Sequence, residues 1–443
     1  MKHRLIYEKV SMTKPTLTTS LSKNFTPEKL LSLPAVYGTP LWIYDSAIII
    51  RQIEQLKQFD VIRFAQKACS NTHILRLMRK QGIKVDSVSL GEIERALHAG
   101  FQPGRDKSEI VFTADLINEE TLDRVIELDI PVNAGSIDML EQIGQRQADH
   151  PVWLRINPGF GHGHSQKTNT GGENSKHGIW FQDLPLALEK VRQYKLNLIG
   201  LHMHIGSGVD YQHLANVCDA MVEQAVLCGV DIQAISAGGG LSIPYKIGEE
   251  VVDTDHYYSL WHKARQRIEQ QLGHHIELEI EPGRFLLAEA GILMTEVRAV
   301  KSMGSRHYVL ADAGFNDLMR PAMYGSYHHI SVLSENELAG NGQNSEGKSS
   351  ERTNLQETLV AGPLCESGDV FTQLEGGEVI PRMLPDVSVG DYLIFHDTGA
   401  YGASMSSNYN SRPLIPEILF VDGEPRLIRR RQTIQELLSL EVM

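Results

Sequence analysis

From residue 61 onward, short apolar runs alternate with stretches that carry an amphipathic helical pattern. The apolar, strand-like runs are Val61–Lys67, Val85–Ser89, Ile110–Thr113, Ile130–Asn133, Val152–Asn157, Leu198–Ile205, Ala234–Ala237 and Leu278–Glu281. The helical patterns between them include Gly91–Ala99, Glu119–Leu128, Ile137–Gln145, Leu184–Gln193, Tyr211–Leu227 and His256–Gln271. Eight strands alternating with helices predict an α/β fold, a (β/α)8 barrel of the TIM type. An open, doubly wound sheet is the alternative, but eight units in series favour closure.

The pattern changes after Arg284, where short strands separated by turns replace the helices. These strands are Thr295–Ser302, Tyr308–Ala311, Leu359–Ala361, Tyr392–His396, Ile418–Val421 and Pro425–Arg429. They predict a second, mostly antiparallel β-barrel or sandwich domain. An earlier strand, Leu41–Asp45, precedes the barrel, and we expect it to join this β domain.

The predicted organisation has four parts. Residues 1–32 form a polar leader and a short helix, and residues 33–57 hold the early strand and a helix that leads into the barrel. The barrel covers residues 58–290, and the β domain covers residues 291–443. Within the β domain, the Ser-, Glu- and Gly-rich segment 334–355 is expected to be a disordered loop.

Composition narrows the partners and the compartment. A formal net charge of −13 argues against nucleic acid or an anionic membrane as the main partner. No apolar run is long enough to span a membrane, and the N-terminus lacks the apolar core of a signal peptide. The four cysteines are scattered without zinc-site spacing, which suits a reducing compartment. We therefore expect a cytoplasmic protein.

Candidate chemistry concentrates at the predicted strand ends, where barrel enzymes build their active sites. Lys67 ends the first barrel strand, and burying a lysine there is costly unless its amine is used, because burial penalises the charged form. The alternative is a lysine that reaches solvent from the strand end.

The sixth strand leads into His202-Met-His204. Because side chains alternate along a strand, both imidazoles lie on the same side. They could bind a metal, or serve as one structural and one cofactor-contacting histidine.

Two further segments follow the seventh and eighth strands. Gly238-Gly-Gly240 exposes backbone N–H groups that suit a phosphate, although a glycine triplet also serves ordinary turns. Glu279-Ile-Glu281-Pro-Gly-Arg284 places a carboxylate at a strand end, where it needs a cationic partner. That partner is either Arg284 or the protonated ring nitrogen of a cofactor. A lysine, an aromatic histidine, a phosphate turn and a carboxylate together are the parts of a pyridoxal phosphate site.

The long connection Gly159–Gly178 is rich in glycine, asparagine and histidine. A loop of this length at the catalytic end of a barrel is usually functional or mobile. Its histidines suggest a metal, but no acidic ligands accompany them at suitable spacing. We predict no metal site.

Seven segments carry a resemblance to a known family over the chain from about Leu33 to the C-terminus. They are FAQKACSN, HMHIGSG, SAGGGLS, EIEPGRF, DAGFNDLMRPAMYG, GPLCESGDVF and DTGAYGASMSSNYN. The chain resembles the diaminopimelate decarboxylases, in the fold-type III family of pyridoxal phosphate enzymes that includes ornithine and arginine decarboxylases and alanine racemase. The resemblance implies decarboxylation of meso-2,6-diaminopimelate to L-lysine, the last step of lysine biosynthesis.

The resemblance also implies roles for individual residues around the cofactor. Lys67 would bind pyridoxal 5'-phosphate covalently and be catalytic, and Glu281 would pair with the pyridine nitrogen. The other cofactor-binding positions it implies are His204, Ser207, Gly238, Gly239, Gly240, Pro282, Gly283, Arg284 and Tyr401. Gln66 and Cys69 depart from the residues that relatives often carry beside the lysine, which leaves the local packing open.

The resemblance also implies residues that bind the two charged groups at the far end of diaminopimelate, its carboxylate and its ammonium group. Arginine binds a carboxylate bidentately, and a carboxylate suits an ammonium group. The substrate-binding positions are Arg284, Arg320, Tyr324, Glu366 and Tyr401. Cys365 would be catalytic as the proton donor. In the family this cysteine motif comes from a partner subunit, so a homodimer with shared active sites is implied.

Three other functions remain as alternatives. The first is decarboxylation of another basic amino acid such as ornithine or arginine, which lacks a distal carboxylate for paired arginines to bind. The second is a metal-dependent barrel hydrolase built on His202 and His204. The third is a non-catalytic binding homologue, which would be expected to lack Lys67 or Cys365.

Overall fold

A closed barrel of eight parallel strands forms the first part of the chain. The computed structural model describes residues 22–105, 108–161, 170–204, 206, 210–229, 231–334 and 354–442. The barrel strands are Val61–Ala65, Lys84–Ser87, Ile110–Ala114, Val132–Ala134, Pro151–Asn157, Asn197–His202, Ala234–Ser236 and Glu277–Ile280. The last strand pairs in parallel with the first, so the sheet closes, and a short strand, Ile179–Trp180, pairs beside Pro151–Asn157. The predicted TIM-type barrel is confirmed.

Helices surround the barrel and bury one apolar face against it. The main ones are Ser46–Glu54, Thr72–Lys80, Leu90–Ala99, Glu119–Glu127, Ile137–Arg146, Leu184–Tyr194, Tyr211–Cys228 and Thr254–Leu272. The helix after the first strand shows why they form. Asn71 caps it by accepting a hydrogen bond from the backbone N–H of His73 at 3.0 Å, and Ile74, Leu75 and Met78 form its buried face.

A second, mostly antiparallel sheet forms from the rest of the chain, as predicted. Its strands are Leu41–Asp45, Gly291–Met303, Arg306–Ala311, Ile330–Leu333, Leu355–Ala361, Arg382–Pro385, Tyr392–Phe395, Glu417–Val421 and Glu424–Arg429. The early strand Leu41–Asp45 lies inside this sheet, antiparallel to Gly291–Met303 and parallel to Glu417–Val421. Sequence analysis missed Ile330–Leu333 and Arg382–Pro385, which are only four residues long.

Several predicted boundaries differ from the structure. The first barrel strand ends at Ala65, and Lys67 lies in the 3-10 turn Gln66–Ala68. At the ends of the segment predicted as a disordered loop, Ser334 is buried and Leu355 begins a strand. Residues 335–353 lie outside the described part, so the prediction for them is untested. The same holds for residues 1–21 of the predicted leader and for 162–169 of the long loop.

The second sheet contacts the barrel at the end that carries Lys67. The backbone N–H of Tyr401 donates to the carbonyl of Ala68 at 2.8 Å, and the hydroxyl of Ser404 donates to the carbonyl of Lys67 at 3.0 Å. Both residues belong to the segment that follows the strand Tyr392–Phe395. The turn that carries Lys67 is therefore held by the second sheet as well as by the barrel.

Candidate active site

A cavity of about 780 Å³ opens at the carboxyl ends of the barrel strands. Residues from the second sheet and its connections complete the wall. The predicted site residues that line it are Lys67, His204, Gly239, Gly240, Glu281, Gly283, Arg284, Arg320, Tyr324 and Tyr401. Side chains separated by more than 300 residues in sequence thus meet in one cavity, as expected for the carboxyl face of a barrel.

The side chain of Lys67 is exposed to this cavity. No hydrogen bond or ion pair to its amine occurs within the described residues. The turn beneath it is well anchored, because Gln66 donates from Nε2 to the hydroxyl of Ser87 at 2.6 Å. Burial in a small pocket beside Glu417 raises the pKa of Cys69 to about 12, so Cys69 is an inert packing thiol. Gln66 and Cys69 therefore hold the backbone and leave the amine of Lys67 available.

Glu281 follows the eighth strand and is 8% exposed. Burial opposes the charge of Glu281, but polar neighbours stabilise it. Nε2 of His202 lies 2.8 Å from Oε2, and Ser236 donates to Oε1 at 3.3 Å. With the nearby positive charges of Arg155 and Arg63, these contacts lower the pKa of Glu281 to about 2. The carboxylate is therefore ionised at neutral pH.

The alternative of a Glu–Arg ion pair within the EIEPGR segment is wrong. Glu279 instead pairs with Arg63 inside the barrel, with N–O distances of 2.7 and 2.9 Å. Glu281 pairs with His202, and Arg284 forms no ion pair with a described residue. The guanidinium of Arg284 is thus available to an anion in the cavity.

His204 lies on the cavity wall two residues beyond His202. Its Nδ1 is buried and has no hydrogen-bond partner in the described part of the chain. Burial, with the charge of Lys67, holds the pKa of His204 well below its usual value, so the imidazole is neutral. A neutral aromatic ring at this place is suited to stacking against a flat ligand.

The glycine turn after the seventh strand lies directly beside His204. Gly238 has φ +59°, and a Cβ there would lie 2.6 Å from the carbonyl oxygen of Met203. A Cβ at Gly239 would lie 2.8 Å from the carbonyl oxygen of Glu281. Only glycine allows this close approach, which leaves the N–H groups of the turn near the cavity. Ser207, the other predicted phosphate contact, lies outside the described residues.

Two of the predicted cofactor positions, Gly238 and Pro282, are not part of the cavity wall. Both support it from behind. The carbonyl of Gly238 accepts from the N–H of Glu281 at 2.8 Å, and the carbonyl of Pro282 accepts from the N–H of Ala65 at 3.3 Å. The first bond connects the glycine turn to Glu281, and the second connects the first strand to the segment after the eighth.

Arg284, Arg320, Tyr324 and Tyr401 form the outer part of the cavity. The guanidinium carbon of Arg284 lies 5.1 Å from the ring centre of Tyr401. Arg320 begins the short helix Arg320–Tyr324 and is 6% exposed. Neither arginine forms an ion pair within the described residues. One buried and one half-buried cation, neither paired with a described carboxylate, indicate an anionic ligand.

Cys365 and Glu366 do not line this cavity in their own chain. Both are exposed; the N–H of Cys365 donates to Oδ1 of Asn410 at 3.0 Å, and the hydroxyl of Tyr409 donates to Glu366 at 3.4 Å. The structure of one chain therefore does not bring Cys365 and Glu366 to the ten predicted residues that line the cavity.

Sequence analysis missed several residues of the cavity. Asp86 lies level with Ala65 in the neighbouring strand, and burial together with the charge of Glu281 raises its pKa to about 7. The carboxylate of Asp115 pairs with Nδ1 of His177 at 2.5 Å. A signal for Asp86 existed, because it is a carboxylate inside a predicted strand. The strand Lys84–Ser87 carries it on the cavity side.

Among the described residues, no group of three or more histidine, cysteine or acidic side chains could hold a metal ion. In the same part of the chain, no helix is long and apolar enough to cross a membrane.

The residues of the cavity fit pyridoxal phosphate. Among the described residues, the amine of Lys67 and the buried Nδ1 of His204 have no partner. Glu281 is ionised, and the glycine turn leaves room that a side chain would fill. These are the donor, counter-ion, stacking and anion-binding groups that this cofactor requires.

Comparison with known proteins agrees with this geometry. Residues 46–288 match the family model described as pyridoxal-dependent decarboxylase, pyridoxal binding domain. Diaminopimelate decarboxylase of Escherichia coli K12 is 67% identical over 424 residues, covering 96% of this chain and 99% of the relative. A crystal structure of a diaminopimelate decarboxylase superposes with a TM-score of 0.90 at 67% identity, covering 95% of this chain and 98% of that one.

A more distant structure has the same architecture. Diaminopimelate decarboxylase from Helicobacter pylori complexed with L-lysine gives a TM-score of 0.79 at 29% identity, covering 93% of this chain and 98% of that one. With the family model and the Escherichia coli relative, it shows that this chain belongs to the diaminopimelate decarboxylase family of pyridoxal phosphate enzymes.

Proposed function

We propose that this chain converts meso-2,6-diaminopimelate into L-lysine and carbon dioxide, with pyridoxal phosphate held by the residues of the barrel cavity. One observation carries the assignment of roles. The amine of Lys67, which has no partner among the described residues, shares a cavity with ionised Glu281 and with two guanidinium groups that form no ion pair there. When bound, pyridoxal phosphate supplies an aldehyde for an amine and a ring that accepts the electrons of a breaking carbon–carboxylate bond.

Lys67 is the covalent attachment point. Its backbone carbonyl accepts a hydrogen bond from Ser404, so the side chain enters the cavity from an anchored turn. Glu281 keeps a proton on the ring nitrogen, because an ionised carboxylate in a low-dielectric site favours a neighbouring positive charge. His204 covers the ring face, and Gly239 and Gly240, with Ser207, hold the phosphate.

The outer cavity binds the far end of the substrate. Arg284 and Arg320 face the cavity as cations, and a carboxylate is the ligand that arginine binds most specifically. Tyr324 and Tyr401 add phenol groups beside them. Ornithine and arginine have no carboxylate at that end, so the two guanidinium groups would lack a carboxylate partner with either substrate. This favours diaminopimelate over the ornithine-type substrates.

A second copy of the chain completes the site. Cys365 is exposed and lies outside the cavity of its own chain, as does Glu366. We assign the thiol of Cys365 to the partner's cavity, where it returns a proton to the carbon that has lost carbon dioxide. Glu366 binds the distal ammonium group there. The active enzyme is then a homodimer with shared sites. We place it in the cytoplasm, since none of its four cysteines forms a disulfide.

The test is a direct assay of purified protein with added pyridoxal phosphate. Incubation with meso-diaminopimelate should release equimolar L-lysine and carbon dioxide, while ornithine and arginine should react far more slowly. Absence of lysine formation, or equal rates on ornithine, would overturn the proposal.

A further inference from the structure

Arg284 and Arg320 share one aromatic side chain that has no assigned role. Tyr245 lies in the loop after the glycine turn, and its ring centre is 5.7 Å from the guanidinium carbon of Arg284 and 4.9 Å from that of Arg320. The Tyr245 hydroxyl accepts a hydrogen bond from NH1 of Arg284 at 2.8 Å. Two like charges would separate unless something held them, and the face and hydroxyl of one tyrosine attract both.

Arg320 has a second neighbour, His328. NH1 of Arg320 lies 2.9 Å from Nε2 of His328, and Nδ1 of His328 lies 2.9 Å from the carbonyl oxygen of His396. His328 is 4% exposed, and its ring packs edge-on against Tyr245 with centres 5.6 Å apart. The imidazole is thus fixed on three sides, by Arg320, by the backbone of His396 and by Tyr245.

The hydrogen-bond partners determine the tautomer of His328. A guanidinium can only donate, so Nε2 must accept, and the carbonyl of His396 can only accept, so Nδ1 must carry the hydrogen. The imidazole is then neutral. Burial, with the adjacent charge of Arg320, holds the pKa of His328 well below its usual value, which agrees with this assignment. His328 therefore orients Arg320 without neutralising its charge.

This arrangement differs from that of an arginine with a structural role. Arg63, inside the barrel, is paired with the carboxylate of Glu279. Within the described residues, the groups that hold Arg320 and Arg284 are all neutral, so the full charge of both stays available to the cavity. A receptor for an anion needs cations that are held in place but not neutralised, because a carboxylate partner would compete with the ligand.

We propose that His328 and Tyr245 are positioning residues that hold Arg320 and Arg284 side by side as a preformed receptor for the carboxylate at the far end of the substrate. This inference rests on the proposed function and adds the residues that set its selectivity. His328 acts through Arg320, and Tyr245 acts mainly through Arg284. Neither is required for decarboxylation itself.

The experiment uses the holoenzyme and two inhibitors that differ only in the distal carboxylate. L-Lysine carries that carboxylate, whereas 1,5-diaminopentane has the same chain and amines without it. His328→Asn keeps a donor for the carbonyl of His396 but withdraws the acceptor from Arg320. We expect the KM for meso-diaminopimelate and the Ki for L-lysine to rise about tenfold. We expect the Ki for 1,5-diaminopentane and kcat to change by less than about twofold to threefold.

Two matched variants separate positioning from general damage. His328→Gln extends an amide oxygen to about the place of Nε2, and we expect it to restore most of the affinity for L-lysine. His329→Asn makes the same change one residue later, at a ring that packs on His396 rather than bonding Arg320, and we expect no selective effect. If His328→Asn does not fold, Tyr245→Phe tests the same receptor, because it removes the acceptor from Arg284 and keeps the ring.

The possible results are distinguishable. Equal weakening of both inhibitors in His328→Asn, or a His328→Gln variant as impaired as His328→Asn, would overturn the positioning role and leave the proposed function intact. Unchanged inhibition in both His328→Asn and Tyr245→Phe would also overturn it. Failure of the wild-type protein to form lysine would overturn the proposed function and this inference together.

Discussion

Nε2 of His202 lies 2.8 Å from Oε2 of Glu281, and both side chains are buried in the barrel. Since the carboxylate is ionised, Nε2 must carry the hydrogen of this bond. Burial alone would raise the pKa of Glu281, and His202 is the largest of the influences that lower it instead to about 2. The positive charge that we assign to the ring nitrogen of the cofactor thus depends on His202. This residue lies two positions before His204, to which we assign stacking on the ring.

His202→Phe should raise the pKa of Glu281, because burial would then act with less opposition. We expect the acid limb of the kcat profile to move to higher pH, and kcat at neutral pH to fall roughly a hundredfold. His202→Gln retains a donor and serves as the control. A His202→Phe enzyme with an unchanged acid limb would contradict the assignment.

The same pair predicts acid sensitivity of the fold. The folded pKa of Glu281, about 2, lies below its ordinary value of 4.5, so its stabilising contribution is fully present above about pH 4.5. That contribution is lost as the pH falls toward 2. Unfolding followed by circular dichroism between pH 5 and 3 should show a smaller loss of stability in His202→Phe than in the wild type.

Lys67→Ala should lower kcat by more than roughly a thousandfold and remove the visible absorbance of the lysine-bound cofactor. The melting temperature of the protein without added cofactor should be nearly unchanged, because the amine has no partner among the described residues. Lys80→Ala, on an exposed helix end, is the matched control. Substantial residual activity in Lys67→Ala would refute the role of this lysine.

Arg320→Ala should raise the KM for meso-diaminopimelate roughly tenfold to a hundredfold, because one of two carboxylate-binding cations is lost. A substrate panel should show a reduced preference for diaminopimelate over ornithine and arginine. Arg298→Ala, whose side chain is 63% exposed, provides the control. An unchanged preference would mean that the distal carboxylate binds elsewhere.

Mixing two inactive variants tests the shared active site. If Cys365 acts in the partner's cavity, a Lys67→Ala and a Cys365→Ala chain form hybrid dimers with one intact site. A random mixture should then recover about a quarter of wild-type activity. The two variants should be mixed by co-refolding or co-expression, so that hybrid dimers form. If hybrid dimers form and no activity is recovered, the thiol acts within its own chain.

Asp86→Asn should stabilise the protein without cofactor, and more so at high pH. The folded pKa of Asp86, about 7, lies above its ordinary value of 3.8, so the folded state binds the extra proton between these values. The wild type therefore loses stability as the pH rises from 4 to 7, whereas asparagine does not titrate. Denaturant midpoints at pH 4 and pH 8 measure the difference. A stabilisation equal at both pH values would show that Asp86 does not titrate in this range.

Much of the architecture was predictable from periodicity. Eight apolar runs separated by helical patterns gave the barrel, and each predicted run overlaps a strand of the structure. Boundaries were less accurate where chain direction changes, as at Lys67, which lies in a turn beyond the strand. Four-residue strands such as Ile330–Leu333 escaped notice, because so short a run carries too little alternation to distinguish it from a loop.

The sequence by itself determined which side chains stand at the carboxyl ends of the barrel strands, because strand order and the strand-end rule depend only on local pattern. It thereby predicted Lys67, His204, Glu281 and the glycine turn, all of which are close to the cavity. Only the tertiary structure decided their partners: Glu281 pairs with His202, Glu279 pairs with Arg63, and Arg284 forms no ion pair with a described residue. Contacts such as those of Tyr245 and His328 join loops far apart in sequence, and no periodic pattern encodes which loops meet.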